Sequence, residues 1–119
     1  IEGSNIDKAA HSNNLEEMME ELLDFDRTAG AVLDWASKHP GTLVVITADH
    51  NTGAFALTGG SREQGEITGR FGSGSHDGVA VPVYAFGAGS GDFTGIYENT
   101  DIFNKIMNAF KKGADKPVR

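Results

Sequence analysis

The sequence predicts an α/β fold, as part of a three-layer αβα sandwich with a mainly parallel central sheet. Residues 15–38 carry apolar side chains at steps of three and four, the spacing of an amphipathic helix. The apolar, β-branched run at 42–47 follows almost directly and is typical of a strand buried on both faces of a parallel sheet. A helix leading into such a strand is the second half of a βαβ unit, so we expect its first strand to end near residues 1–2.

Capping and turn residues indicate where the long helix and the strands after it begin and end. Asn13 or Asn14 can cap the start of the long helix, and the Pro–Gly pair at 40–41 ends it. Glycine accounts for 16 of the 119 residues and clusters in the middle of the chain, where loops must dominate. Short strands are therefore predicted at 55–57 and 67–71, on either side of a glycine-pair turn.

The C-terminal part is predicted to hold one more strand and one more helix. The strand lies within 79–86, where Pro82 indicates either a start at Val83 or a position near a sheet edge. The Asn–Thr pair at 99–100 caps a helix with apolar side chains at helical steps. We expect all 119 residues to form one domain and the basic residues 112–119 to be a frayed tail.

Composition narrows the classes of partner. Ten basic against 17 acidic residues give a net charge of −7, which disfavours nucleic acid or an anionic membrane surface and favours divalent cations. The chain has no cysteine, so thiolate metal sites and disulfides are excluded. No apolar run approaches the roughly 18 residues of a membrane span.

Three segments carry side chains that can bind metals. Asp49 and His50 directly follow the apolar strand, and ligands of open parallel sheets bind beyond the carboxyl ends of strands. Asp7 and His11 lie at i and i+4, on one face of a helical turn that Ser4 or Asn5 would cap. Two strands joined by one crossover would bring both pairs to the same sheet edge.

The third segment, residues 72–78, contains His76 between glycines that allow the backbone to present the imidazole. Taken alone, each segment is more simply interpreted as a turn or surface loop. Together, three histidines and three carboxylates without cysteine suit zinc or manganese, and a carboxylate-rich subsite suits magnesium. Paired metals commonly clamp the attacking and leaving oxygens of a phosphoryl displacement. The candidate ligands are Glu2, Asp7, His11, Asp49, His50 and His76.

These segments resemble successive metal-binding motifs of alkaline phosphatases. The similarity covers EGSNIDKAAH at 2–11, TADHNTG at 47–53 and HDG at 76–78. A further stretch, FTGIYENTD at 93–101, is similar to the segment before the last helix of bacterial members. Order and spacing hold over most of the chain, which makes the combined pattern specific although each motif alone is weak.

The resemblance implies roles for the candidate ligands. Asp7, His11 and His76 would ligate a first zinc, Asp49 and His50 a second zinc, and Glu2 magnesium. Lys8 matches a lysine that some members keep near the phosphate. The resemblance further implies small phosphate monoesters as substrates, attack by a serine, a periplasmic or secreted location, and a homodimer as in the family.

The family's nucleophilic serine and phosphate-binding arginine have no counterpart among these residues. Ser4, Ser73 and Ser75 do not stand in the nucleophile's context. We therefore expect this chain to be the C-terminal portion of an alkaline phosphatase, with no catalytic nucleophile of its own and inactive by itself.

The sequence leaves other interpretations of the chain's function open. The parent could be another member of the superfamily, such as a phosphodiesterase, a sulfatase or a phosphoglycerate mutase, although the Glu–Gly–Ser context of Glu2 favours a monoesterase. The chain could instead be a catalytically inert module in which Asp7, His11 and His76 bind one metal and leave a position for water. In a third case, the ligand geometry never forms without further strands.

Overall fold

The computed structural model describes residues 1–114, which divide into two compact units. Unit 1 comprises Ile1–Arg27 and His50–Val81, and unit 2 comprises Thr28–Asp49 and the described residues from Pro82 onward. The chain contains both helices and strands, so the α/β class is confirmed. In chain order the elements are α1 (Ser4–His11), α2 (Leu15–Ser37), β1 (Leu43–Thr47), β2 (Asn51–Thr52), β3 (Ala56–Ser61), β4 (Glu66–Arg70), β5 (His76–Asp77), β6 (Val83–Gly87), a 3-10 turn (Ser90–Phe93) and α3 (Asp101–Ala114).

The two N-terminal helices begin at different kinds of cap. Gly3 precedes α1 without any side-chain hydrogen bond, so the prediction of a Ser4 or Asn5 cap is wrong, although the predicted helical turn is present. Asn14 caps α2 as predicted, because its Oδ1 accepts the N–H of Glu17 at 3.2 Å. The reciprocal bond, from Asn14 Nδ2 to the Glu17 carboxylate at 3.0 Å, ties the first turn together.

The core of unit 1 is small and helical. Ala9 and Ala10 of α1 and Met18 of α2 are buried. Small side chains on α1 let the two helices and the aromatic residues Phe55 and Phe71 approach closely. This packing fixes the face of α1 that carries Asp7 and His11. Partly buried Ile6 and Leu15 complete the cluster.

Two short antiparallel sheets complete unit 1. Strand β2 pairs with β5, which places Asn51 opposite Asp77 and Thr52 opposite His76. Strand β3 pairs with β4 as a hairpin whose register shifts between Leu57 and Gly59. The predicted short strands are confirmed in this hairpin. However, the glycine pair expected in the turn belongs to β3, and the turn follows Ser61.

Unit 2 contains the sheet β1–β6, which differs from the prediction. The β1 strand and the Val83 start of β6 are confirmed, but the two strands are antiparallel, with Val45 opposite Ala85. Each sheet in residues 1–114 has two antiparallel strands, and residues 1–2 form no strand. The parallel sandwich is therefore not confirmed. An unbroken apolar run indicates burial but does not fix strand direction, and β1 itself is only half-buried.

The last helix extends beyond its predicted end. Helix α3 runs from Asp101 to Ala114, so residues 112–114 of the expected frayed tail are helical and the rest lie outside the described part of the chain. Lys112 Nζ pairs with Asp92 Oδ2 at 2.6 Å.

Within the described residues, none of the helices has the length and apolarity that a membrane crossing requires.

Candidate metal centre

The candidate site lies in unit 1, where α1, the β2–β5 pair and the segment before β2 bring four predicted ligands together. Asp7 and His11 stand one turn apart on α1. His50 directly precedes β2, and His76 opens β5. The helix supplies one pair through its own periodicity, whereas His76 arrives by strand pairing across a long sequence separation.

Asp7, His11 and His76 form a closely spaced triplet. His11 Nε2 lies 3.0 Å from His76 Nε2 and 3.5 Å from Asp7 Oδ2. His76 Nε2 lies 3.6 Å from Asp7 Oδ1. The three side chains are 39% (Asp7), 39% (His11) and 53% (His76) exposed, so an ion from solvent can reach them.

A backbone carbonyl fixes the tautomer of His11. Its Nδ1 lies 2.8 Å from the carbonyl oxygen of Gly74, which can only accept a hydrogen bond, so Nδ1 carries the proton and donates it. Neutral His11 therefore has its lone pair on Nε2, the atom that faces His76 and Asp7. Metal-binding histidines commonly have their second ring nitrogen held in this way.

His50 forms a second group that overlaps the first. Its ring stacks on that of His76 with centroids 3.6 Å apart. One ligand atom each from Asp7, His50 and His76 lie within 4.8 Å of one another. Asp7 and His76 are thus common to both triplets, and four of the six predicted ligands gather in one place.

Thr52 connects two of these ligands. Its hydroxyl donates to Asp7 Oδ1 at 2.6 Å, and the same oxygen lies 3.2 Å from His50 Nδ1. The hydrogen bond from Thr52 is the largest influence on the pKa of Asp7 and lowers it; burial raises it, and His11, His76 and His50 each lower it further. Asp7 therefore stays ionised and ready to bind a cation.

Asp77 holds the loop that carries His76. Both of its carboxylate oxygens accept hydrogen bonds from Asn51 Nδ2, at 3.0 and 2.9 Å. Its oxygens also accept the backbone N–H groups of Ala54 at 2.9 Å and Val79 at 3.1 Å. The bonds from Asn51 and then from Val79 are the largest causes of the lowered pKa of Asp77. With these donors around it, Asp77 acts on the site through the backbone next to His76.

The remaining predicted residues lie outside this cluster of ligands. Glu2 and Asp49 are both exposed and belong to neither triplet. Lys8 donates to Asn5 Oδ1 at 3.1 Å on its own helix. His39 lies just beyond the end of α2, and its ring stacks on that of Trp35 with centroids 3.8 Å apart.

Two contributors were not predicted from the sequence. Thr52 and Asp77 follow His50 and His76 within the quoted motifs, but neither was singled out as part of the site. Only their positions could have indicated a role: Asp77 directly follows His76, and Thr52 lies two residues after His50. Asp77 meets Asn51 across the β2–β5 pair, and Thr52 meets Asp7 of α1; hydrophobic periodicity predicts neither contact.

The donor set fits zinc. Zinc–nitrogen bonds of about 2.0–2.1 Å at a tetrahedral angle separate two ligand atoms by about 3.3–3.4 Å. The distances of 3.0, 3.5 and 3.6 Å in the first triplet bracket that value. One carboxylate and two imidazoles, with one lone pair already turned inward, are also the ligand types of open zinc sites.

Comparison with known proteins identifies the family. The alkaline phosphatase family model matches residues 1–71, which include Asp7, His11 and His50. The chain belongs to the alkaline phosphatase family. Streptomycin-6-phosphate phosphatase of Streptomyces griseus is 33% identical over 127 residues, which cover 92% of this chain and 28% of that protein. Alkaline phosphatase 4 of Bacillus subtilis is 26% identical over 181 residues, covering 95% of this chain and 39% of that protein.

Solved alkaline phosphatases have a similar fold. The enzyme from the Antarctic bacterium TAB5 superposes with a TM-score of 0.84 and 41% identity, over 92% of this chain and 33% of that enzyme. A mutant of the TAB5 enzyme with Mg bound in its M3 site gives a TM-score of 0.83. The chain thus spans about a third of the length of these family members.

Proposed function

We propose that this chain supplies metal ligands to a phosphate monoester hydrolase of the alkaline phosphatase type. In this proposal Asp7, His11 and His76 hold one zinc. His50 and Asp49 serve a second zinc, and Glu2 serves magnesium. The roles of Asp49 and Glu2 rest on the sequence motifs alone, whereas His50 is also supported by its place beside Asp7 and His76.

One observation carries the proposal: the imidazole nitrogens of His11 and His76 and the carboxylate of Asp7 are spaced as ligands around one zinc ion. The two nitrogens lie 3.0 Å apart, and they lie 3.5 and 3.6 Å from the Oδ2 and Oδ1 atoms of Asp7, respectively. The Gly74 carbonyl also turns the Nε2 lone pair of His11 towards this point, so a cation there would meet a carboxylate and imidazole nitrogens.

The proposed chemistry needs little movement from these residues. Zinc, when bound, stabilises the negative oxygens of a phosphoryl displacement. Asp7 contributes the negative charge, His11 is held by Gly74, and His76 is held by the β2–β5 pairing. Lys8, one residue from Asp7, adds a positive charge that would favour an anionic phosphate.

We place the nucleophile outside these 119 residues. Ser73 is engaged in a local turn, where its Oγ donates to the carbonyl of Ser75 and accepts the Ser75 N–H, both at 3.2 Å. Ser4 is the first residue of α1. Among residues 1–114, neither hydroxyl is hydrogen-bonded to a histidine or a carboxylate that would activate it. The chain by itself is then expected to bind zinc without hydrolysing esters.

Small phosphate monoesters are the proposed substrates of the whole protein. The names of the similar proteins support a monoesterase over a phosphodiesterase, sulfatase or mutase, because they are phosphatases. A periplasmic or secreted location and a homodimer belong to the same proposal and rest on the resemblance to bacterial members.

Zinc titration of the purified chain by calorimetry tests the proposal. His11→Ala and His76→Ala each remove one ligand, and His39→Ala is the matched control because His39 stacks on Trp35 in unit 2. Outer-shell changes alone weaken metal binding about 10–100-fold. Loss of a direct ligand is expected to raise the Kd for zinc at least that much, while His39→Ala leaves it unchanged.

Two results would contradict the proposal in different ways. An equal loss of affinity in all three variants, or no zinc binding by the parent chain, would show that this cluster is not a zinc site. Turnover of an aryl phosphate by the parent chain, abolished by a chelator, would keep the metal site and overturn the placement of the nucleophile.

A further inference from the structure

Thr52 is unusual among the polar residues of the described chain. The residue is 9% exposed, and it is the one buried polar residue of 1–112. It stands on β2 opposite His76 and between the ligands Asp7 and His50. A buried hydroxyl at this point needs defined partners, because an unpaired one costs about 1–3 kcal/mol.

The hydrogen-bond directions around Thr52 are fixed by the chemistry of its partners. A hydroxyl has one hydrogen, and the ionised carboxylate of Asp7 can only accept, so Thr52 donates to Asp7 Oδ1 at 2.6 Å. The contact with His50 Nδ1 at 3.2 Å must then run the other way, with the imidazole N–H donating to the threonine oxygen. His50 therefore carries its proton on Nδ1 and its lone pair on Nε2.

We propose that Thr52 is a positioning residue that orients Asp7 and His50 together. One hydroxyl holds the carboxylate of the first zinc group and selects the tautomer of the histidine assigned to the second. The inference rests on the proposed function for its consequence in metal binding, but its hydrogen-bond pattern can be measured without any metal.

This role differs from simple packing of a β-branched side chain. Valine has the shape of threonine without the hydroxyl, so a purely structural Thr52 would tolerate Thr52→Val. Serine keeps the hydroxyl and loses only the methyl group, so a positioning Thr52 would tolerate Thr52→Ser. The two variants therefore separate the two roles by opposite outcomes.

The first measurement uses the metal-free chain. Long-range proton–nitrogen NMR correlations report which ring nitrogen of His50 is protonated. We expect Nδ1 protonation in the parent and in Thr52→Ser, and its loss in Thr52→Val. A neutral His50 in the parent with its proton on Nε2 and none on Nδ1 would overturn the proposal directly, whether or not any variant folds.

The second measurement is zinc titration of the same proteins, with Thr94→Val as control because its hydroxyl bonds the carbonyl of Gly91 in unit 2. Thr52→Val is expected to raise the Kd for zinc about 10–100-fold, the usual effect of an outer-shell change. Thr52→Ser and Thr94→Val are expected to match the parent. Equal affinities of the parent and Thr52→Val would overturn the positioning role.

The two proposals fail in distinguishable ways. If the parent binds no zinc, the proposed function fails, and the NMR result still decides whether Thr52 sets the tautomer of His50. If zinc binds and Thr52→Val changes neither the affinity nor the tautomer, the proposed function stands and the role of Thr52 is refuted.

Discussion

Gly53 follows β2 and is hydrogen-bonded to the loop that carries His76. Replacing it with alanine tests how closely the backbone is packed at this point. Its N–H donates to the carbonyl of Ser75 at 3.0 Å. Its own carbonyl accepts the N–H groups of Gly72 at 2.9 Å and Ser73 at 3.2 Å. The φ angle of Gly53 is +83°, a conformation that L-residues rarely adopt.

An alanine side chain at this position meets two separate costs. The left-handed backbone is disfavoured by about 1–2 kcal/mol for a residue with a Cβ. The added Cβ would also lie 2.9 Å from the Phe71 ring and 3.2 Å from the backbone oxygen of Ala10, which belongs to the helix core. Overpacking of this kind costs about 1–3 kcal/mol. We expect Gly53→Ala to lower the free energy of unfolding by about 2–5 kcal/mol.

Urea unfolding of the metal-free chain, followed by far-ultraviolet circular dichroism, measures this difference. Gly65→Ala is the matched control in the same unit, because Gly65 has a φ of +66° but no atom within 4 Å of the added Cβ. It should show the backbone cost alone. Gly30→Ala, in the middle of α2 with open space around it, should gain about 1 kcal/mol from helix propensity. Equal losses for Gly53→Ala and Gly65→Ala would refute the claim of close packing at the site.

Two further predictions concern the supports of the site. The pKa of Asp77 is lower in the folded chain than its ordinary value of 3.8. Its ionised form therefore stabilises the folded chain above pH 3.8, and this stabilisation is lost as the pH falls through the pKa of the folded state. The urea midpoint of Asp77→Asn should therefore depend less on pH below about 4 than that of the parent, and parallel pH curves would contradict this. Asn14→Ala removes the cap of α2 and should cost about 1 kcal/mol in the same urea assay, whereas Asn5→Ala, on the exposed surface of α1, should cost less.

The parts of the site that follow from local periodicity could be predicted from the sequence. Asp7 and His11 lie on one helix face because four residues make about one turn. His50 was expected at a strand end and lies three residues past β1. His76 was predicted to join them from the combined set of ligands and the resemblance to the family motifs, and its Nε2 lies 3.0 Å from His11 Nε2. Local periodicity thus explains the α1 pair, whereas the place of His76 depends on strand pairing.

The parts that failed depend on strand pairing over long sequence separations. The apolar run of β1 indicated a strand, but its partner β6 begins 36 residues after the end of β1 and runs antiparallel to it. The parallel prediction required a strand at residues 1–2, which have no regular structure. Thr52 and Asp77 were not predicted because their contacts also join distant parts of the sequence: Asp77 bonds Asn51 across the β2–β5 pair, and Thr52 bonds Asp7 of α1. Hydrophobic pattern carries no information about such short pairings.

The site gains its order from the backbone more than from packing. The buried apolar core of unit 1 consists of only three side chains, yet the segment around His76 is held by the β2–β5 pairing, by the Gly53–Ser75 hydrogen bond and by Asp77. Backbone hydrogen bonds fix position without covering the ligands, which remain about 40–50% exposed, as open metal sites require. Because Asp7, His11, His50 and His76 all belong to unit 1, the proposal predicts that this chain binds zinc whether or not it hydrolyses esters.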